Sequence, residues 1–348
     1  MKKILLTFFS ALILISCGEK KEETVLDEKT KYNFDSTDVK TTTVENPDES
    51  FLLAYNFEPG KTYSYRLTSI SDNQQTVVAD TTINQGMKRT ISYLLNLKLI
   101  NKDEDGLMDL SCTFTSIKLE ADAANERIQF ESSTVTDSLE KVKYSDYLSL
   151  TNNPFELRIN KSGEIIDISK TDRIINTFLK LRGLSDSVKT NEKAMMKNDL
   201  NETMLKPVIM QIVRTMPAKN MAKDSTWTNV QPASRFQIFQ IVNKTLYKVL
   251  NLEMFDDNKL AVIDAGLETQ VTGDSKYEEP GVKYNFRKPV TTASGKIYFN
   301  IDKGCLQKSR TQTQLDTYYS VEANTPKGLL KGYTQEKIKN TNIVELLK

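Results

Sequence analysis

The 348-residue sequence predicts an α+β protein that is mainly β: two related antiparallel β meanders, or one long curved sheet, packed on a central helical segment. Three observations predict this class. Apolar residues alternate with period two on both sides of the chain's middle. The middle itself, residues 169–216, switches to helical spacing. Landmarks that precede the middle recur after it in the same order.

Residues 51–168 form the first β half. Tyr63, Tyr65 and Leu67 alternate with Thr62, Ser64 and Arg66, and Ile91, Tyr93, Leu95, Leu97 and Leu99 continue the pattern through the next long run. Strands with one buried and one wet face read this way. Asn101-Lys-Asp-Glu-Asp-Gly106 interrupts the alternation and Leu107 to Leu119 resumes it, which predicts a hairpin whose turn places Gly106 at positive φ.

Ser169-Lys-Thr-Asp172 resembles a capping box with Asp in place of Glu. It opens a helix with Ile174, Ile175, Phe178 and Leu179 on one face and Gly183 just past its end. A second helical stretch covers 190–215, where Met196, Leu200, Met204, Val208 and Ile212 fall close to helical spacing. Pro207 kinks or splits this stretch and Pro217 ends it.

Residues 217–348 form the second β half. Gly60-Lys-Thr-Tyr63 has a counterpart in Asp224-Ser-Thr-Trp227, and the hairpin from Leu95 to Leu107 has one in Leu250 to Leu260. Ile159-Asn-Lys-Ser-Gly163 has its counterpart in Ile301-Asp-Lys-Gly304. Three ordered correspondences predict an internal duplication.

The N-terminus addresses localisation. Lys2 and Lys3 precede an apolar run from Ile4 to Ile15, too short for a permanent transmembrane helix and suited to a secretory signal. Leu14-Ile-Ser-Cys17 resembles the lipobox of bacterial lipoproteins. That resemblance implies a signal peptide over 1–16, lipidation at Cys17 with palmitate-type acyl chains, and attachment to the outer membrane of the cell envelope, facing the periplasm or the outside. An ordinary signal peptide and an anchor helix are the rival readings. Residues 17–50, rich in Glu, Lys, Asp and Thr, read as a disordered tether.

Composition excludes several classes of function. Without Lys2 and Lys3, 45 basic side chains face 46 acidic ones, a balance that argues against nucleic acid as a partner. The sequence has no histidine, which removes Ser-His-Asp and Cys-His catalysis and histidine-based metal sites. Besides Cys17, Cys112 and Cys305 remain; one buried and one half-exposed thiol are expected, with a disulfide between them the less favoured alternative.

Other constellations are better explained without chemistry. Asn101-x-Asp103-x-Asp105-Gly106 matches the start of a calcium loop, but its twelfth position is Cys112 rather than Glu. Ser138-x-x-Lys141 and Ser71-Asp-Asn73 appear in the wrong order for penicillin-recognising enzymes. Asp137-Ser-Leu139 and Asp186-Ser-Val188 fit a short glycosylation triplet. Trp227, the single tryptophan, reads as a buried structural residue.

The segments Tyr55-Asn-Phe-Glu-Pro-Gly60-Lys-Thr-Tyr63 and Pro217…Asp224-Ser-Thr-Trp227, together with the lipobox, resemble those of uncharacterised lipoproteins of Bacteroidota that carry a domain of unknown function. The resemblance spans about residues 51–320 and implies no catalytic residues. At the level of fold, long strands backed by helices resemble the half-barrel lipoprotein carriers. The functional expectation is a non-catalytic, cofactor-free, lipid-anchored binding module. It would hold an apolar ligand or acyl chain between the sheet and the face bearing Met196, Leu200, Met204, Val208 and Ile212. The alternative is a structural lipoprotein that docks another envelope protein or a glycan.

Overall fold

A computed structural model describes residues 30–123, 126–185, 187–217, 219–326 and 328–347. The signal segment and Cys17 lie outside the described residues. Short strands β1 (Thr42–Thr43) and β2 (Phe51–Leu52) precede three long ones, β3 (Thr62–Val78), β4 (Thr82–Lys102) and β5 (Met108–Ala123). Next come β6 (Glu126–Glu131), α1 (Ser138–Lys143), α2 (Ser145–Leu150), β7 (Phe155–Ile159) and β8 (Ile165–Ser169). The middle holds α3 (Asp172–Leu181), α4 (Thr190–Asp199), a π-helical segment (Leu200–Leu205) and α5 (Lys206–Ile212). Strands β9 (Asn220–Met221), β10 (Thr226–Val230), β11 (Ser234–Phe236), β12 (Phe239–Phe255) and β13 (Asn258–Thr272) follow. The chain ends with β14 (Lys276–Glu279), β15 (Val282–Phe286), β16 (Val290–Asn300), β17 (Cys305–Thr325) and β18 (Gly328–Leu346).

The protein is mainly β with few helices: sixteen of the described strands form one large antiparallel sheet, and β2 and β9 pair separately. Neighbours run β1-β12-β13-β16-β17-β18-β3-β4-β5-β7-β8. Strand β18 lies between the halves, pairing with β3 from Tyr333↔Val78 to Leu346↔Tyr65. The sheet is therefore continuous, and helices α1 and α2 fall inside the stretch read from sequence as the first β half.

The three landmark pairs occupy matching places. In the first half β3 pairs with β4, β4 with β5, β5 with β7 and β7 with β8. In the second, β10 pairs with β12, β12 with β13, β13 with β16 and β16 with β17. A bulge at Arg158/Ile159 and another at Tyr298/Phe299 each precede the corresponding turn. Both turns carry a glycine at positive φ, +82° at Gly163 and +57° at Gly304, and both are closed by the same passing segment. The Tyr55 amide donates to the Lys161 carbonyl at 2.8 Å and the Asn56 amide to the Gly304 carbonyl at 2.9 Å. A Cβ on Gly304 would stand 2.6 Å from the Asn56 nitrogen, so that contact needs glycine.

The two faces of the sheet are covered differently. On the inner face Leu67, Val249, Ile263, Ile297 and Val344 join the helical residues Ile174, Leu205, Ile209 and Ile212 in one core. The expected helical stripe crosses the π-helical segment, where the Lys206 amide donates to the Asn201 carbonyl, five residues back. A π turn holds extra residues, so the face rotates. Leu205, Ile209 and Ile212 therefore enter the core, while Leu200, Met204 and Val208 are left partly buried at its margin. The segment also accommodates Pro207, which has no N–H to give.

The outer face is crossed by residues 30–50, most of the stretch expected to be a disordered tether. Lys31 pairs with Glu131 of β6, Tyr32 bonds Ser116 of β5, and Asp35 pairs with Lys308 of β17. Asp38 then pairs with Lys296 of β16, Thr41 bonds Glu253 of β12, and β1 pairs along β12. Seven inter-strand spacings of about 4.8 Å make about 34 Å, within the reach of twelve extended residues. Beneath this strap Arg66 and Glu345 form a buried ion pair at 2.9 Å, whose carboxylate also accepts the Asp35 amide at 3.2 Å. The strap is low in apolar residues yet ordered, because charged partners hold it and its few apolar side chains find cover, Val44 in the main core and Val39 against Leu260, Val262 and Tyr298.

Cys112 and Cys305 are both fully buried and free, so neither is the half-exposed thiol expected. They sit on β5 and β17 with three strands between them, well beyond disulfide reach. Burial pushes the Cys305 thiol up to about 11 and raises Cys112 further, which keeps both protonated.

Candidate functional site

The site arises from a change of side-chain size along the inner face. One tier crosses the sheet as Val249, Ile263, Ile297, Ser309, Val344, Leu67, Tyr93 and Ile117, each opposite the next. Apart from Tyr93, which packs against the core, all of these are buried. Two residues further along each strand, the next tier reads Tyr247, Ala265, Gly295, Thr311, Asn342, Ser69, Ile91, Leu119 and Phe130. The first-half members are large, and Phe130 packs against Tyr144 at 4.4 Å and Tyr147 at 5.6 Å from the α1–α2 region. From Ala265 through Gly295, Thr311 and Asn342 to Ser69 the members are small or polar, with Tyr247 at the far end the one large exception, and the floor from Ala265 to Asn342 lies open.

What remains is a trough of about 910 Å³. Its floor comes from β12, β13, β16, β17 and β18, its rim from β10 and β11, and its inner end from Met210 and Gln211 of α5 with Arg214 and Thr215 just after it. The lining mixes apolar groups such as Leu267, Ile241 and Leu315 with neutral amides and hydroxyls such as Asn340, Asn342 and Thr313. The lining side chains that carry charge are Arg214, Arg235 and Glu164. Glu164 accepts from Asn160 at 2.9 Å and the Arg235 Nε donates to the Gln237 carbonyl at 3.3 Å.

Arg214 is held by its backbone. Its amide donates to the Tyr55 hydroxyl at 2.7 Å, and that hydroxyl donates to the Ile212 carbonyl at 3.4 Å. Its guanidinium meets neutral partners: Nη2 donates to Gln211 Oε1 at 3.2 Å, the Tyr247 hydroxyl lies beside it, and Nε is shielded from water without an acceptor. Burial pulls its pKa below the usual arginine value, with Tyr247 and Tyr55 opposing. Tyr247 in turn stacks on Trp227, ring centroids 4.8 Å apart and planes at 15°. Trp227 is thus half-buried against the core, and its Nε1 has no partner either.

None of the five residues proposed from sequence lines this trough. Met196 lines a shallow depression of about 710 Å³ on the outer side of α4, with Met195 and Asn198. Ile212 is core; Leu200, Met204 and Val208 pack at its edge. The residues missed, Arg214 above all, follow directly after that stripe; the non-periodic signal Arg214-Thr-Met-Pro217 marks only a helix end.

The other sequence candidates settle into structural roles. Asp103 closes its turn by accepting the Leu107 amide at 2.8 Å and pairs with Arg158 at 3.0 Å. Among the described residues no group of three His, Cys, Asp or Glu side chains is placed to hold a metal ion. Ser138 and Lys141 lie on α1, and Ser71 and Asn73 on β3. Asp137 caps α1 by accepting the Leu139 and Glu140 amides at 2.9 and 3.0 Å. Asp186 of the second triplet lies outside the described residues.

A family model described as a family of unknown function, DUF6263, matches residues 105–306. The chain belongs to this family. The match includes the Pro217…Trp227 segment and leaves out the Tyr55–Tyr63 opening. No curated protein matches. Among solved structures, lipovitellin is similar over 84% of this chain at 11% identity with a TM-score of 0.37; this chain spans 26% of that one. OpdQ of Pseudomonas aeruginosa is matched over 82% of this chain and 99% of its own, at 7% identity and a TM-score of 0.20. An outer membrane channel from Pseudomonas putida F1 is matched over 84% and 100%, at 5% identity and 0.18. Scores this low carry no argument about function.

Proposed function

We propose that this protein is a lipoprotein of the bacterial cell envelope, anchored through Cys17, that binds an elongated molecule with an apolar chain and performs no catalysis. The observation that carries the reading is the trough, whose volume falls in the range of small-molecule sites and whose floor is open because the tier is small at Ala265, Gly295 and Thr311, whereas the same tier is filled by Ile91, Leu119 and Phe130 in the other half. The binding place moves from the Met-rich stripe to the opposite side of α5. A Bacteroidota source and an outer-membrane address belong to the same proposal and rest on the signal segment.

The test is direct. Natively purified protein is extracted and its lipids are identified by mass spectrometry, and uptake of a fluorescent fatty acid is titrated. Thr313→Trp, at an exposed position on the trough floor, should weaken uptake at least about tenfold while leaving the melting temperature unchanged. An absence of co-purified lipid together with no fatty-acid uptake would remove the apolar-ligand reading. Cys17→Ala should abolish membrane retention; a processed variant that still partitions with membranes would refute the anchor.

The second reading is an interaction lipoprotein. Its supporting observation is the far end of the long strands, where Ile83, Tyr277 and Leu329 stand about half exposed, at 49%, 49% and 57%.

A further inference from the structure

The trough has an electrical asymmetry that its volume alone does not explain. Two of its charged lining residues are cations, Arg214 and Arg235, against the single acid Glu164, which is already engaged by Asn160. Arg214 is the unusual member. Among the described residues no carboxylate forms an ion pair with it, although the Arg66 guanidinium on the outer face is matched with Glu345 at 2.9 Å. A half-buried guanidinium whose Nε is sealed from water and that has no counter-charge is costly, and such an unmet donor calls for a partner. The Nε and Nη2 edge is the one that can present two parallel donors to a planar anion. Nε has no acceptor, and the partners of the guanidinium are neutral: the Gln211 carboxamide, one turn earlier in the chain, accepts from Nη2, and the Tyr247 hydroxyl lies beside it. The backbone beneath is fixed by the Tyr55 hydroxyl, so the edge stays in place.

We propose that Arg214 reads the polar end of the ligand, and that this end is a carboxylate: the trough takes a single-chain fatty acid or similar long-chain carboxylate, head at Arg214 and chain along the small-residue floor. This rests on the trough-binding reading and adds the head-group chemistry to it. The carboxylate would accept from Nε and Nη2, displacing the Gln211 amide, with the Tyr247 hydroxyl alongside as a third donor.

The experiment compares dodecanoate with dodecanol by isothermal titration against the full chain and against Arg214→Met and Arg214→Lys. The methionine variant keeps the aliphatic packing and removes the charge; the lysine variant keeps the charge and removes the parallel donors. Dodecanoate should bind the wild type at least about tenfold more tightly than dodecanol, a ratio ordinary for one bidentate charged contact. Arg214→Met should erase that preference, dodecanoate binding falling at least about tenfold to the level of dodecanol, and a thermal melt like that of the wild type shows that the variant is folded. Arg214→Lys should retain part of it. Equal binding of dodecanoate and dodecanol by the wild type overturns the head-group assignment and leaves the trough reading standing. A wild type that binds neither overturns both.

Discussion

The inner-face tier that runs from Tyr247 to Phe130 has two unlike halves. From Ile91 through Leu119 to Phe130 it is aliphatic and aromatic, sealed by Tyr144 and Tyr147. From Ala265 through Gly295 to Thr311 and Asn342 it is small or polar and lies open as the trough. One tier closer to the helices the two halves are alike, both filled with buried side chains. Two halves that share a run of successive pairings thus share a core and differ in what they do with the next layer: one side stabilises the fold and the other leaves room. That shared run is what an internal duplication would leave behind, and the difference shows where the two halves would have diverged.

Phe130→Ala should have the largest effect, because it removes a buried ring with two aromatic neighbours. A loss of about 3–5 kcal/mol in denaturant unfolding is expected, against little change for Thr311→Ala on the open side. If the two losses were similar, the division between a sealed and an open half would fail.

Removing the strap tests whether the halves depend on a common outer cover. A chain beginning at Phe51 loses Val44 from the core and exposes the Arg66–Glu345 pair. It should unfold at a melting temperature lower by several degrees, corresponding to about 2–3 kcal/mol. An unchanged, equally cooperative transition would show that residues 30–50 are dispensable.

Two glycines on neighbouring strands sharpen the picture within the open half. A Cβ on Gly295 would lie 2.7 Å from the Thr311 methyl and 3.2 Å from the Arg310 carbonyl, whereas one on Gly266 meets nothing within 4 Å. Gly295→Ala should destabilise by about 1–2 kcal/mol through local crowding of the floor, and Gly266→Ala by less than about 0.5 kcal/mol. Thermal melts of the pair decide it; equal losses would contradict close packing at the Gly295–Thr311 contact.

The smallest effect concerns acid. Hydrogen bonds from Thr37, with Lys308 adding to them, hold the Asp35 carboxyl well below the usual carboxylate range. Lys296 does the same for Asp38, and at Glu131 burial is outweighed by Lys31 and Ser133. A carboxylate with a lowered folded-state pKa contributes stability that is present above its unfolded value, near 4, and is lost as pH falls through the folded one. Asp38→Asn should therefore lower the melting temperature slightly at pH 7, by less than about 0.5 kcal/mol for so exposed a pair, and the deficit should shrink below pH 4. A deficit that grew in acid would reverse the sign of this linkage.

By itself the sequence determined that the protein is mainly β and where several of its hairpins turn. The period of two in β3 to β5, the turns at Gly106, Gly163 and Gly304, and the helical spacing after Asp172 are local signals carried by neighbouring residues. Tertiary structure alone decided the rest. Alternation within one strand says that Ala265 and Leu267 share a face, but only cross-strand register sets Ala265 beside Gly295, Thr311 and Asn342. The π-helical segment turned the Met-rich stripe to the edge of the core and brought Arg214 to the end of the trough. The strap found its partners among charges more than two hundred residues away, Asp35 with Lys308 and Asp38 with Lys296. Composition and period measure what a segment is made of and how it repeats; they hold no information on which distant surface will face it.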